Sequence, residues 1–260
     1  MIAISGHEAI EFAGLAGELL LRNGAETSRV EDTINRICNR AGFHNTEVIV
    51  FPTGIIINGE LDGVRLTRAK RIYARDINLH VVSIINDISR KYAAGRISLE
   101  EGLKTVRDLE QPTPSRTSFL GVLFAGALAS GAATILLGGC GADFLPALMA
   151  AALVRVIIGI TAFNLAYVLQ IYVGGLVAGL LGGFFVDLGF GQHMGRIVVG
   201  ALLPLVPGVA LTNAVRDFIT GDLLSGILRM VEAILVSAAL AGGVGLALAL
   251  YFDHLRKVLF

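Results

Sequence analysis

Cysteine is nearly absent: Cys38 and Cys140 are the only two in 260 residues, too few and too far apart for a disulfide framework or a thiolate metal site. Both read as small buried apolar side chains. An excess charge of either sign is missing as well, since 21 Lys/Arg face 21 Asp/Glu, and nothing points to nucleic acid. Catalytic signatures are lacking. His7, His44 and His80 do not have HExxH spacing, and neither a G-x-S-x-G nor a phosphate-binding loop occurs. GFGQHMG, from Gly189 to Gly195, has the wrong spacing for a glycine loop, follows no strand and reads as a turn between helices. No enzyme, cofactor or metal is therefore expected. A charged leader with a compact apolar core and a small-residue cleavage site is also missing from the N-terminus, so no cleaved signal is expected and the first part is made in the cytoplasm.

Charge is scarce in one half only. Met1 to Thr117 carries 15 Lys/Arg and 15 Asp/Glu, whereas Ser118 to Tyr251 carries 4 and 5. With 54% hydrophobic residues and a mean hydropathy of +0.72, the chain reads as half soluble domain and half membrane. The expected division is a cytoplasmic α+β domain over 1–110, a stiff Pro-containing linker over 111–117 and a transmembrane helical domain over 118–260.

In the soluble half, Ser5 with Glu8 and Ser28 with Glu31 match the capping-box spacing, each before apolar residues at helical period, with Gly24 and Gly42 as stops. Glu47 to Phe51 and Ile55 to Ile57, split by Pro52, Thr53 and Gly54, read as paired strands, with a third over Val64 to Arg75. A third helix begins near Ile77, and Ser98 with Glu101 caps a fourth. Arg65, Arg68, Lys70, Arg71 and Arg75 form a run without an intervening acid. It could meet anionic lipid head groups at about 1 kcal/mol per residue, although a solvated strand face is the simpler reading.

Beyond the linker, five spans are expected: Ser118 to Leu137, Phe144 to Ile160, about Phe163 to Leu188, a broken fourth over Ile197 to Thr212, and about Leu224 to Tyr251. Gly175, Gly179 and Gly183 repeat every four residues, the period that lets helices approach closely in lipid; the same face could also meet a second subunit. Lys104, Arg107 and Arg116 before the first span place the soluble domain in the cytoplasm by the positive-inside rule. Five spans would then leave Arg256 and Lys257 outside, so either the last segment is re-entrant or the tail is an exception.

The break in the fourth span concentrates the polar chemistry. Pro204, Pro207 and Gly208 interrupt an apolar run, and Asn213, Arg216, Asp217 and Asp222 follow at once. Non-helical backbone at membrane depth needs protein or water around it, and a charge at mid-span costs about 2.5–3.5 kcal/mol. Two readings stand at this point: a transport pathway, or an interfacial loop with a solvated Arg216–Asp217 pair and a plain kink.

RNGAETSRVEDTINRICNRAGF (Arg22 to Phe43), FPTGIII (Phe51 to Ile57), INLHVVSIINDISRKYAAGRISLEEG (Ile77 to Gly102) and LVPGVALTNAVRDFITGDLLSGILR (Leu205 to Arg229) together resemble the threonine/serine exporter family, specifically its larger N-terminal portion. The resemblance implies that Pro207, Gly208, Asn213, Asp217, Gly221 and Arg229 are motif residues. It further implies export of small hydrophilic metabolites, either threonine and serine or dicarboxylates such as succinate, and a partner: a second, smaller membrane subunit resembling the family's C-terminal half. The expected protein is thus an inner-membrane exporter subunit whose substrate-binding or coupling residues are Arg155, Pro207, Gly208, Asn213, Arg216, Asp217, Asp222 and Arg229. Arg216 or Arg155 would face a substrate carboxylate, and Asp217 or Asp222 an amine or a coupling proton. The competing expectation is a membrane-anchored sensor or scaffold without transport. A membrane-embedded enzyme ranks third, for want of a nucleophile, base or metal spacing.

Overall fold

The computed structural model describes residues 2–73, 77–110, 118–161 and 165–255. The expected linker 111–117 lies outside them, as do Arg75, Arg256 and Lys257. The chain divides into two compact units, the first comprising 1–114 with 209–231 and the second 115–208 with 232–260. Segment 209–231, which hydropathy assigns to the membrane half, thus belongs with the N-terminal residues.

In the first unit α1 (Ile2–Arg22) and α2 (Thr27–Arg40) precede a sheet of β1 (His44–Phe51), β2 (Gly54–Leu61) and β3 (Val64–Arg71), followed by α3 (Leu79–Ala93) and α4 (Leu99–Glu110). The sheet is antiparallel in the order β1-β2-β3. Phe51 pairs with Gly54 and Leu61 with Val64, so both connections have two residues, the second being Asp62-Gly63 at positive φ (52° and 78°), as a primed hairpin turn requires. Alternation puts Val50, Ile55 and Ile57 in the core with Phe12, Leu20, Ile34, Ile37 and Val106.

Of the three expected capping boxes, the third is seated. Ser98 Oγ accepts from Glu101 N (3.1 Å) and Glu101 accepts from Ser98 N (2.9 Å). Helix α1 already runs from Ile2, upstream of Ser5, and α2 begins at Thr27, so Ser28 lies inside it. Nor is the basic strand a uniform solvated face. Lys70 pairs with the buried Glu18 (2.8 Å) and the stem of Arg68 covers Gly14 of α1. Arg65 and Arg71 stay exposed.

The second unit holds α5 (Phe119–Leu136), α6 (Gly141–Thr161), α7 (Tyr167–Asp187), α8 (Met194–Leu202) with a 3-10 turn over Leu203–Leu205, and the larger part of α10 (Leu223–Leu250). Helices α5, α6, α7 and α10 are long and apolar enough to cross a membrane. A fifth span exists only if α8 and α9 (Gly208–Thr220) count as one bent span, so the described residues hold four or five. The glycine face of α7 packs within the unit. A Cβ on Gly175 would lie 2.6 Å from the Leu240 carbonyl oxygen, one on Gly179 2.5 Å from Ala247 Cβ, and one on Gly183 2.7 Å from the Tyr251 ring, all on α10 or its final π turn. Helices in lipid associate through such close approach.

Candidate functional site

The predicted site residues separate into two groups. Asn213, Arg216, Asp217, Asp222 and Arg229 belong to the first unit, on α9, the turn at Gly221 (φ 91°) and the start of α10; Arg155, Pro207 and Gly208 belong to the second.

The first group closes on the loop between α1 and α2, where Gly24 (φ 90°) follows the end of α1, and its carbonyl is the acceptor there. Asn213 Nδ2 donates to that carbonyl (3.1 Å). One turn further along α9, the fully buried Asp217 accepts from Thr27 N (3.4 Å) and Thr27 Oγ1 (3.3 Å), and its Oδ2 lies 3.0 Å from Arg229 Nε. Arg229 Nη2 donates to Ala25 O (3.1 Å), Arg216 pairs with Glu26 (2.6 Å), and Ser225 Oγ donates to Val50 O (3.3 Å).

This geometry explains where α2 begins. Its N-cap residue, Glu26, makes no side-chain cap bond, and the first N–H groups of a helix have no partner inside it. Asp217 supplies the acceptor from 190 residues away, with its negative charge at the positive end of the helix dipole. Asp222 contributes its backbone N–H to the Asp217 carbonyl (2.8 Å), stabilising the elbow. Two of the stretches that carry the family resemblance, Arg22 to Phe43 and Leu205 to Arg229, are thus bonded to each other.

In the second unit, Arg155 lies on α6 about 9 Å of helix rise from its C-terminal end at Thr161. It is exposed, and among the described residues no acid pairs with it. Its guanidinium is the one charge among the residues lining a cavity of about 280 Å³, whose other walls include Val122, Gly126, Ala151, Pro204 and Leu205. Pro204 belongs to the 3-10 turn. After it Val206 is extended (φ −65°, ψ 130°), Pro207 is half-buried, and Gly208 is the first residue of α9. The break therefore contributes one wall of the cavity through Pro204 and Leu205.

A third polar cluster was not anticipated. The buried Asp143 accepts from Gln192 N (2.7 Å), His193 N (3.0 Å) and Cys140 N (2.9 Å), and its Oδ2 lies 2.7 Å from His193 Nδ1. Cys140, Asp143 and His193 bring potential metal-ligand atoms within 4.8 Å of one another, but both carboxylate oxygens are already engaged by these four groups. Asp143 is thereby a staple between the start of α6 and the Gly189–Gly195 turn. An acid in the first turn of an apolar helix was the available signal; its partners Gln192 and His193, about fifty residues away, gave none.

The family described as "Putative threonine/serine exporter" matches residues 11–251. A "Threonine/serine exporter" of Corynebacterium glutamicum is 26% identical over 253 residues, covering 93% of this chain but 51% of that protein, so the chain spans about half the length of this relative. Two proteins named "Probable succinate transporter subunit YjjP" match nearly end to end. The one from Klebsiella aerogenes is 28% identical (89% of this chain, 90% of that one), and the one from Escherichia coli K12 is 23% identical (90% and 91%). No solved structure matches the chain. The family match takes in both compact units and every predicted site residue, and with four or five membrane-long apolar helices the chain is a multi-pass membrane protein that belongs to the threonine/serine exporter family.

Proposed function

We propose that this chain is one subunit of a secondary exporter that carries small carboxylate-bearing metabolites out across the cytoplasmic membrane. The Arg155 cavity is its substrate site, and residues 1–110 lie in the cytoplasm. The observation that carries this reading is a guanidinium without a described acidic partner, set in a membrane-long helix and facing an otherwise apolar cavity beside a helix break. A charge so placed costs about 2.5–3.5 kcal/mol unless a ligand or water offsets it, and a carboxylate matches a guanidinium in a fork geometry. The cavity lies near the lower end of ligand-pocket volumes, about 300–1,000 Å³, which suits threonine, serine or succinate. A carboxylate is common to all three, and the relatives' names support this class.

The motif charges take another role in this proposal. Asp217 and Arg229 clamp the α9–α10 elbow to the α1–α2 loop, while Pro207 and Gly208 let the backbone leave α8 for α9. Arg216 and Asn213 complete the clamp, and Asp222 braces its turn. A second, smaller membrane subunit completes the pathway; the word "subunit" in the names of two relatives of matching length supports it. Lys104 and Arg107, just before α5, support the cytoplasmic side for the N-terminus.

The test is export of labelled succinate and threonine from liposomes holding this chain with a small polytopic partner. Arg155→Gln should abolish export of whichever solute is carried without lowering thermal stability. Native-like export by that variant would remove the cavity from the pathway. If neither solute nor any other small carboxylate moved, the sensor or scaffold reading, which the structural engagement of Asp217 and Arg229 favours, would replace transport.

A further inference from the structure

Two adjoining cavities, of about 300 and 440 Å³, open between α2 and α3 in the first unit and share Arg29, Asn86 and Arg90. Arg36 lines the smaller one. Two of the three arginines are already held: Arg29 by Glu26 (3.0 Å), and Arg36 by Asp32 and by its bond to Ser89 Oγ (3.2 Å). Arg90 is exposed and, among the described residues, its guanidinium has no acid or other hydrogen-bond partner; nor does the side-chain amide of the half-buried Asn86. Asp87, on the larger cavity, is paired with Lys91 (2.7 Å). Each cavity therefore carries one uncompensated positive charge beside an idle amide, and both belong to the same residues. Guanidinium groups with an adjacent amide are the donor set for a carboxylate or phosphate group.

We infer that this cleft binds an oxyanion-bearing small metabolite and reports its presence to α9 through Glu26. The Glu26 carboxylate is divided: Oε1 holds Arg29 of the cleft, and Oε2 holds Arg216 of α9. An anion that takes over Arg29 releases Oε1, so Glu26 is left to Arg216, next in sequence to the Asp217 that caps α2. Occupancy of the cleft and the position of α9 are thereby linked, and linkage of this kind is reciprocal. The site is separate from the Arg155 cavity and does not depend on that cavity's role.

Binding is measured by calorimetry on the full chain in nanodiscs, in the Arg155→Gln background so that the transport cavity contributes nothing. Inorganic phosphate, succinate and threonine serve as separate probes. Phosphate or succinate should bind in the millimolar range or tighter and threonine more weakly; the stronger of the two names the oxyanion. Arg90→Gln should weaken binding about tenfold, the loss of one charge-assisted contact. Glu26→Gln removes the competitor for Arg29 and should tighten binding. Amide exchange of 216–220 should slow or quicken with the anion in the Arg155→Gln chain and not respond once Glu26→Gln is added. Absence of phosphate and succinate binding, or binding indifferent to Arg90→Gln, would overturn the site. Anion binding without an exchange response at α9 would overturn the coupling.

Discussion

Around α1 the interior is built of Phe12, Leu20, Ile34 and Ile37, with charges outside in pairs such as Arg107–Glu11 and Lys91–Asp87. Around α7 the balance shifts. Most of its buried positions are small, Gly174, Gly175, Ala178, Gly179, Gly182 and Gly183 beside Ile171 and Phe185, while Leu120 (70% exposed), Leu136 (88%) and Ile160 (67%) point outward from the same unit. Large apolar side chains gain from leaving water, so in the first region they fill the core. Lipid is as apolar as leucine and removes that incentive, so in the second region contact is gained by small residues that let backbones touch. The α9–α10 elbow belongs to the first unit yet turns large apolar side chains outward: Asn213, Asp217, Ser225 and Arg229 are buried, while Ile219 (80%) and Leu223 (62%) are exposed. Its polar groups do in that core what leucine and isoleucine do around α1.

The sharpest way to break this contrast is to remove one half of the elbow's buried pair. Arg229→Ala leaves Asp217 fully buried and without its cation, and should lower stability by about 3–5 kcal/mol. Asp217→Leu with Arg229→Met, which makes the elbow apolar inside like the α1 core, should recover most of the loss, since apolar replacements of buried pairs are often neutral or better. Thermal unfolding of the detergent-solubilised chain decides it: a cost under about 1 kcal/mol for Arg229→Ala would mean that the pair is not what holds α9 to the α1–α2 loop.

A smaller effect separates the two kinds of helix contact. At Gly175 an added methyl meets the Leu240 backbone oxygen at 2.6 Å, and at Gly17 of α1 it meets Ile34 Cδ1 at 2.7 Å. A side-chain end can rotate away, but a backbone carbonyl in a packed helix cannot. Gly175→Ala should therefore destabilise by about 1–3 kcal/mol through overpacking. Gly17→Ala should cost less than about 1 kcal/mol, because helix propensity returns up to about 1 kcal/mol. Equal costs at the two positions would erase the proposed difference in packing.

Local signals were readable from the sequence where both partners are neighbours. The Ser98–Glu101 box is seated, the Pro52-Thr53 turn joins two paired strands, and the apolar runs from Phe119, Gly141, Tyr167 and Leu223 are membrane-long helices. The start of α2 was not readable, because its cap is Asp217, and Ser28 satisfies the local rule without being used. The same holds for Asp143, whose donors come partly from Gln192 and His193. The site residues were legible as types, since charges in apolar stretches stand out. Their sorting into a clamp and a cavity was not, because Thr27, Ala25 and Glu26, which receive Asp217, Arg229 and Arg216, look in sequence like an ordinary turn.

The smallest effect concerns a carboxylate caught between the two rules. Glu31, on α2, is partly buried, and that burial raises its pKa above the usual glutamate range; the nearby Asp222 charge raises it further, with a lesser contribution from Asp217, while the Val50 N–H that it accepts works in the opposite direction. A group whose folded-state pKa exceeds its unfolded value binds more protons when folded. Its favourable contribution is therefore complete below about pH 4.3, the ordinary glutamate value, and fades as pH climbs through the raised one. Glu31→Gln keeps an acceptor for Val50 N–H and removes the charge that Asp222 opposes. The variant should melt at a higher temperature than the native chain at pH 7–8, and the two should converge as pH falls toward 4. Melting curves across that range are the measurement. A Glu31→Gln chain that is less stable at pH 8, or whose difference from native does not change with pH, would show that Glu31 is held as a satisfied anion.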